Sequence, residues 1–259
     1  MKVLCQMLGV SRGGFYAWIN REPSAWTRRD TELSGHIARH FEESRGTYGS
    51  PRIHALLQRA GQRCSRKRVA RLMREQQMQA RANRIYKRQP PGSIVFTRGI
   101  ENQQRGLEVD GPDQVWFSDV TFIKVQGQWR YLAVVMDKFS RRVVGWKLGR
   151  DRTIRLTMAA LDLVFHSDRG SEFGAYMFRD RLAEAGIKQS INRPGAMGDN
   201  AHMESFFHTM KSDIIHGASF TREFDLRTAV ERYMPHYNHT RIHSSLGYLP
   251  PVDFERQAA

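Results

Sequence analysis

The sequence predicts an α/β protein, in which a mixed five-stranded sheet with flanking helices follows an all-α region. Residues 114–125 alternate between apolar and polar with a period of two, which is typical of a strand, and a strongly apolar run at 129–136 and a third strand-like run at 142–148 follow. Before residue 80 the apolar spacing is helical instead. Residues 1–100 also carry 20 Lys and Arg against 6 Asp and Glu, within a chain of net charge +15. Such an asymmetry indicates a polyanionic partner such as nucleic acid.

The composition excludes several classes of protein. The chain has 259 residues, of which 40% are hydrophobic and 26% charged, as in an ordinary globular protein. Its two cysteines rule out a disulfide framework and suit a reducing compartment. We find no apolar run long enough to span a membrane and no secretory signal at the N-terminus. We therefore expect no membrane association and a location in a reducing cytoplasm.

Residues 1–21 are predicted to form two short helices around a turn at Gly9–Ser11. Ser11 is placed to cap the second helix, which presents Phe15, Trp18 and Ile19 on one face. Two short helices joined by a glycine-containing turn are typical of a helix-turn-helix, although a plain helical hairpin gives the same pattern.

A second helical pair is predicted at residues 50–78. Pro51 suits a helix start, Gly61 a helix end, and Ser65 a cap for a helix that runs to Met78. That last helix carries five basic residues, which we expect to contact DNA: Arg66, Lys67, Arg68, Arg71 and Arg74. The expected organisation is a helix-turn-helix DNA-binding region at 1–80, a basic linker at 81–110, and a further domain with a C-terminal helical segment at 111–259.

The strands and helices of that further domain follow one another in a characteristic order. Three antiparallel strands are followed by helix, strand, helix, strand and helix, which is the order of a ribonuclease H-like fold. The strands are expected at Gln114–Val125, Trp129–Met136, Arg142–Leu148, 163–167 and 187–191. The helices are expected at 153–162, 174–185, from a cap at Asp199 or Asn200 to about 215, and at 223–238.

Three carboxylates lie in these predicted strands and helices at positions that favour a functional role over a structural one. Asp119 lies in the middle of an apolar strand, where an unpaired charge would be expensive to bury. Asp168 ends the fourth strand, and functional residues gather at such strand ends. Glu204 lies one turn into the following helix. The 35 residues between Asp168 and Glu204 mean little by themselves, since the same number lies between Glu101 and Asp137. The context of each residue is more informative.

Converging carboxylates would repel one another unless a cation lies between them. Mg²⁺ or Mn²⁺ suits carboxylate oxygens, and two such ions can assist the in-line displacement of a phosphodiester. Lys211 shares a helical face with Glu204, on which Asn200 also lies, and could hold a phosphate. His166 is a possible site-lining residue, as is Asn200. Asp137 is predicted to form a turn rather than to be a fourth metal ligand.

With these residues in view, the sequence resembles the insertion-sequence transposases of the IS-three family, specifically the catalytic protein of the second reading frame (OrfB), whose core is similar to retroviral integrase. The resemblance covers most of the chain. Its segments are Gly46–Gly49 with Arg66–Met73, Asp137–Trp146, and the closing set Tyr237, Asn238, Arg241, His243, Ser244, Leu246, Gly247, Tyr248 and Pro251.

The resemblance implies that the chain is a DDE transposase. Asp119, Asp168 and Glu204 would be the catalytic metal ligands, with Lys211 as the accompanying basic residue. The implied reactions are cleavage at the element ends and strand transfer into target DNA. The partners would be double-stranded DNA, further copies of the chain on that DNA, and an upstream-frame DNA-binding protein, separate or fused.

Two features depart from the family pattern. The crossover from Gly149 to Asp162 is short, close to the lower limit for a helix that returns to the sheet. The chain also begins almost inside the first predicted helix-turn-helix. The alternative function is therefore a catalytically impaired, internally shortened remnant that binds DNA without transposing.

Overall fold

A computed structural model describes residues 1–81, 102, 106–150, 164–167, 180, 183–184, 189–191 and 200–258. The chain divides into two compact units, Met1–Ala80 and Arg81–Ala259. None of the helices in these described ranges has both the length and the apolar character needed to cross a bilayer.

The first unit is all-α. Its helices are α1 (Lys2–Met7), α2 (Arg12–Ile19), α3 (Ala25–Glu43), α4 (Ser50–Arg59) and α5 (Arg66–Glu75). The predicted caps are confirmed, because Ser11 Oγ accepts a hydrogen bond from the Gly14 amide at 3.0 Å and Ser65 Oγ accepts one from the Arg68 amide at 3.2 Å. Each cap satisfies one of the amides that a helix start leaves unbonded.

The apolar face predicted for α2 is not buried. Phe15 is half-buried, whereas Trp18 and Ile19 are exposed by 67% and 52%. The core of the first unit instead forms around α3, a helix that the sequence pattern does not predict. Ser24 caps α3 by accepting from the Thr27 amide at 3.1 Å. The fully or nearly fully buried apolar residues that α3 shares with α4 and α5 are Leu33, Ile37, Ile53, Leu57, Val69, Leu72 and Met73.

Helix α5 is shorter than predicted. It ends at Glu75 rather than Met78, because the chain leaves the helical conformation at Gln77, which has a φ of 56°. The N–H of Met78 then bonds back to the carbonyl of Met73 at 2.8 Å, which closes the helix end with one of the carbonyls left open there.

The second unit contains the predicted five-stranded mixed sheet. Its strands are β1 (Val115–Val125), β2 (Gln128–Asp137), β3 (Val143–Gly149), β4 (Val164–Ser167) and β5 (Gln189–Ile191). The order across the sheet is β3-β2-β1-β4-β5. The pairs β1–β2 and β2–β3 are antiparallel, and the pairs β1–β4 and β4–β5 are parallel. The predicted ribonuclease H-like fold class is therefore confirmed.

A helical layer packs against this sheet. It comprises α6 (Ala201–Met210), a π-helical turn (Lys211–Ile215), α7 (Glu223–His239), a short 3₁₀ turn (Ser244–Leu246) and α8 (Pro251–Ala258). The predicted apolar face of α6 is confirmed, since its four large apolar residues are all buried in the core with β1, β2 and α7: Met203, Phe206, Phe207 and Met210. The expected continuous helix to residue 215 widens into the π-helical turn after Met210.

Some predicted features lie outside the described residues. These are the crossover helix at 153–162, Asp168, most of the linker at 81–110, and most of the helix at 174–185.

Candidate active site

Asp119 directly follows the part of β1 that pairs with β4 within the described residues. Residues 115–118 of β1 pair with β4, and Asp119 is the next residue along the strand. On the other edge it is in register with Val134 of β2. The Asp119 side chain is half-buried, and its Oδ1 accepts a hydrogen bond from the amide of Val120 at 2.7 Å. The carboxylate is therefore held at the point where β4 ends.

The second predicted carboxylate, Asp168, lies outside the described residues. Strand β4 ends at Ser167, which is in register with Ser118, the residue before Asp119. His166 is one residue earlier in β4, where its backbone is in register with Phe117 of β1 and with Ser190 of β5.

Glu204 lies in the first turn of α6 and is exposed. The apolar side of α6 fixes the helix against the core, so Glu204 projects from a firmly packed element. Next to it, the ring of His202 stacks on Phe117 of β1, with centroids 5.0 Å apart and an angle of 17° between the ring planes. Helix α6 and strand β1 are thus in direct contact beside Asp119.

Asn200 forms a second link between α6 and β1. The sequence predicts Asn200 or Asp199 as a helix cap, but the Asn200 side chain makes no capping hydrogen bond. Its Nδ2 instead donates to the backbone carbonyl of Ser118 at 3.2 Å, and the residue is only 2% exposed. The prediction that Asn200 lies near the site is consistent with this position, although its contact is with the strand and not with the amides of its own helix.

Three buried polar atoms in this contact have no hydrogen-bond partner among the described residues: Ser118 Oγ, Asn200 Oδ1 and His202 Nδ1. Burial, together with the nearby charges of Arg141 and Lys138, lowers the pKa of His202 to about 4. Its imidazole is therefore neutral at pH 7. The sequence pattern does not single out His202; its signal is its position two residues from both Asn200 and Glu204.

Lys211 is the first residue of the π-helical turn and is half-buried. Burial lowers the pKa of its ammonium, and the negative charge of Asp119 partly offsets this by raising it. Lys211 and Asp119 are therefore close enough to interact. The turn itself is anchored at Asp213, whose Oδ2 accepts from Arg241 Nε at 2.8 Å and from the Tyr233 hydroxyl at 3.0 Å.

Asp137 has the structural role that its sequence context predicts. It is fully buried, and Oδ2 accepts from both the amide and the hydroxyl of Ser140, at 2.7 and 2.9 Å. Its Oδ1 accepts from the amide of Asp113 at 2.8 Å. Burial raises the pKa of Asp137, and these hydrogen bonds oppose that rise. The carboxylate thus closes the β2–β3 turn.

In the first unit, α5 divides the predicted DNA-contacting residues into two groups. Arg68 Nε and Arg71 Nη2 each donate to the carboxylate of Asp30 at 2.6 Å. The Arg68 guanidinium also lies 3.9 Å from the ring centroid of Trp26, and its side chain is only 10% exposed. The remaining three are exposed: Arg66, Lys67 and Arg74. Two of the five basic residues thus bind α5 to α3.

A complete metal site does not lie within the described residues. Among them, no group of three His, Cys, Asp or Glu side chains is placed to hold an ion. The predicted triad has only two of its members, Asp119 and Glu204, in that part of the chain.

Comparisons with known protein families agree with this architecture. The description "HTH-like domain" matches residues 28–86, which include α4 and α5 and begin after the first helical pair. The description "Integrase core domain" matches twice, at residues 109–196 and 185–251. Together the two core matches run from just before β1 to the start of α8.

Full-length relatives decide the family. The "Transposase InsF for insertion sequence IS3A" of Escherichia coli (strain K12) is 32% identical, over 99% of this chain and 94% of that protein. The "Insertion element IS600 uncharacterized 31 kDa protein" of Shigella sonnei is 31% identical, over 98% of each chain. The chain belongs to the IS3-family transposases. The family's helix-turn-helix and integrase core occur here in the same chain, in that order.

The alignment of this IS3-family chain with InsF is longer than the chain itself, at 277 positions against 259 residues. InsF therefore has residues that this chain lacks. Among solved structures, the magnesium-bound catalytic core domain of HTLV-2 integrase, in its trimeric form, is 16% identical at a TM-score of 0.43, covering 56% of this chain and 97% of that one. The fold assignment therefore rests on the sheet order and the family matches, and not on this structural similarity.

Proposed function

We propose that this chain is a DNA transposase that cleaves the ends of an insertion sequence and joins them to target DNA, with Asp119, Asp168 and Glu204 as its catalytic residues. The observation that carries the proposal is the contact between α6 and β1. The hydrogen bond from Asn200 to Ser118 and the stacking of His202 on Phe117 bring the helix that bears Glu204 against the strand that bears Asp119.

The alternative of a DNA-binding remnant is not favoured. The relatives align along nearly the whole chain, through both the helix-turn-helix and the integrase core. The short crossover that suggested the alternative lies outside the described residues.

The donor set suits a hard divalent cation, since carboxylate oxygens are the ligands that Mg²⁺ and Mn²⁺ prefer. The ligands would be Asp119, Asp168 and Glu204, and we propose two ions. When bound, these ions would supply charge stabilisation at the attacking and leaving oxygens. The unpartnered oxygens of Ser118 and Asn200 lie beside this position, where bound water would satisfy them.

The reaction that we propose is an in-line displacement at phosphorus. A water oxygen forms a bond to the phosphorus of the phosphodiester at the element end while the bond to the 3′ oxygen breaks, and that oxygen leaves as a 3′-hydroxyl. The oxygen of that hydroxyl then forms a bond to a phosphorus of target DNA as it loses its proton, while the target's own bond from phosphorus to the 3′ oxygen breaks and that oxygen takes up a proton and leaves as a 3′-hydroxyl. The Lys211 ammonium, close to Asp119, would hold a phosphate oxygen during each step. His202 serves to hold α6 on β1 through the stacking of its ring on Phe117.

The remaining parts of the proposal concern DNA binding and assembly. Residues 1–80 would bind duplex DNA through α5, residues 81–110 would link the two parts, and residues 111–259 would carry out the chemistry. Two DNA ends must be processed together, so we propose that several copies act on one DNA complex, with an upstream-frame protein as a further partner. The substrate would place the protein on the bacterial nucleoid.

Nicking of a supercoiled plasmid in Mn²⁺ tests this function. The wild type is expected to convert supercoiled plasmid to the open circle, and EDTA is expected to prevent it. Asp119→Asn and Glu204→Gln should each abolish nicking, whereas Glu231→Gln, a matched change at an exposed position of α7, should not. Wild-type protein that binds the plasmid but never nicks it would refute the proposed chemistry.

A further inference from the structure

The hairpin formed by β1 and β2 carries an exposed aromatic pair, Phe122 and Trp129. Their rings meet edge to face, with centroids 5.2 Å apart and planes at 88°. They remain 42% and 48% exposed. The turn between the strands, Gln126–Gly127, has positive φ angles at both residues, 48° and 81°. That conformation gives the tightest kind of hairpin, so the two rings are held on a stiff support.

Two lysines flank this pair. Lys124 Nζ lies 5.5 Å from the centroid of the Trp129 ring, and Lys211 Nζ lies 5.3 Å from that of Phe122. An ammonium at this distance from a ring is attracted by the ring's negative face. We call these four residues the aromatic–lysine cluster. It combines flat apolar surfaces with positive charge.

The cluster adjoins the proposed active site. Lys211 interacts both with the Phe122 ring and with the charge of Asp119. Along β1, Phe122 is three residues beyond Asp119, which is about 10 Å of strand at 3.3 Å per residue and about three base steps of one DNA strand at 3.4 Å each. An odd step places the two side chains on opposite faces of the strand, so Lys211, which interacts with both, connects the cluster to the site. Within the described residues, β4 pairs only with residues 115–118 of β1, so no described strand covers this edge of β1 from residue 119 onward.

We propose that the aromatic–lysine cluster binds unpaired bases of the DNA end beside the phosphodiester that is cut. The inference rests on the proposed function and names the substrate form that the site takes. Aromatic rings stack on bases of any sequence, and nearby cations attract the phosphates between them. Bases inside an intact duplex are already stacked on each other, so only melted or flipped bases can reach Phe122 and Trp129.

A protein partner fits this surface less well. A stable protein interface covers about 800 Å² on each side, and a whole aromatic side chain supplies only about 150–250 Å². Here two half-covered rings stand between lysines, and charged residues are depleted at the centres of protein interfaces. The two ammoniums instead complement a polyanion.

A binding assay in EDTA tests the proposal, because chelation prevents the proposed cleavage. Two short duplexes of the same length are compared, one fully paired and one with three non-complementary pairs at one end. The wild type should bind the second duplex roughly tenfold more tightly, from stacking of about 1–3 kcal/mol per base. The double variant Phe122→Ala/Trp129→Ala should bind both duplexes equally. Phe122→Tyr/Trp129→Phe should keep the preference, and so should Phe224→Ala, which removes an aromatic residue that is 66% exposed on α7.

Photocrosslinking keeps the test valid if the double alanine variant does not fold. 5-Iodouracil at the unpaired end should crosslink the wild-type protein at Phe122 or Trp129, as mapped by mass spectrometry. Equal binding of the two duplexes by the wild type, or crosslinks only elsewhere, would overturn the proposal. If the protein nicks plasmid but shows no preference for unpaired ends, base binding by the cluster is refuted and the proposed function is not. If it prefers unpaired ends but does not nick, the proposed cleavage is refuted and base binding by the cluster is not.

Discussion

Single side chains in this protein connect elements that are distant in the sequence. Asn200 is an example, because its sequence context suits a helix cap, yet its amide bonds to the carbonyl of Ser118 on a strand. Arg68 is another, since its place in a basic helix predicts a DNA contact but it is bound to Asp30 and Trp26. In both cases the residue type is informative, and the partner is decided by tertiary packing.

Replacing Asn200 tests its positioning role. Asn200→Ala removes the hydrogen bond to Ser118 and should lower the free energy of unfolding by about 1 kcal/mol. Because α6 would then be less firmly held beside β1, Mn²⁺ affinity should fall several-fold while DNA affinity stays unchanged. Calorimetry and a filter-binding assay measure the two quantities. Unchanged Mn²⁺ affinity in a folded variant would mean that Asn200 does not position the site.

The contribution of the Asp30 carboxylate to stability is expected to depend on pH, which can be tested. The hydrogen bond from Arg71, and then that from Arg68, lowers the pKa of Asp30 below its ordinary value of 3.8, with burial acting in the opposite direction. The folded-state pKa is the lower one, so the stabilisation is present above pH 3.8 and is lost as the pH falls through the folded-state pKa. The urea midpoint of Asp30→Asn should lie below that of the wild type at pH 7, and the difference should shrink below about pH 4.

The control for this experiment is Glu22→Gln. Glu22 is 87% exposed and lies 4.0 Å from Arg28, an arrangement that contributes little to stability. Its midpoint should follow that of the wild type at each pH. A difference between Asp30→Asn and wild type that stays constant down to pH 2 would show that the carboxylate charge is not the cause.

At the scale of helices and strands, the sequence predicts those elements whose own residues show a strong apolar pattern. Strand β1 alternates between buried and exposed residues towards its end, β2 is a strongly apolar run, and α6 has a continuous apolar face, so all three are predicted closely. Helix α3 is missed because its 19 residues are mostly polar and, among them, only Leu33 and Ile37 are buried. The widening of α6 into a π-helical turn has no local signal. It accompanies the contacts that Asp213 makes with Arg241 and Tyr233.

The basic residues of α5 fall into an exposed group and a group bound to α3, and this leads to a prediction about DNA binding. Replacing the exposed residues Arg66, Lys67 and Arg74 with Ala should weaken binding and flatten its salt dependence, by roughly 0.9 in logarithmic slope for each phosphate that is no longer neutralised. Arg68→Ala should instead lower the stability of the helical unit, because it breaks a partly buried ion pair. Binding titrations at several salt concentrations measure the slope. A slope that is equal in the triple variant and the wild type would show that α5 does not bind DNA.

At the scale of the whole molecule, sequence and structure together give one helix-turn-helix and one integrase core in a chain of the IS3 family. The amino-acid sequence alone predicts the five-stranded sheet, the order of its elements and the family. It does not predict the α6–β1 contact or the aromatic–lysine cluster, since both depend on side chains brought together by packing. The crossover that the sequence predicts to be short, and Asp168, lie outside the described residues.

The central claim is that carboxylates from β1, from the end of β4 and from α6 together hold metal ions, and a calorimetric titration with Mn²⁺ tests it most directly. Wild-type protein should bind Mn²⁺ and gain about 2.7 kcal/mol of stability at a hundredfold excess over the dissociation constant. Asp119→Asn, Asp168→Asn and Glu204→Gln should each lose most of this binding, and Glu231→Gln should bind as the wild type does. Equal Mn²⁺ binding by all five proteins would contradict the account.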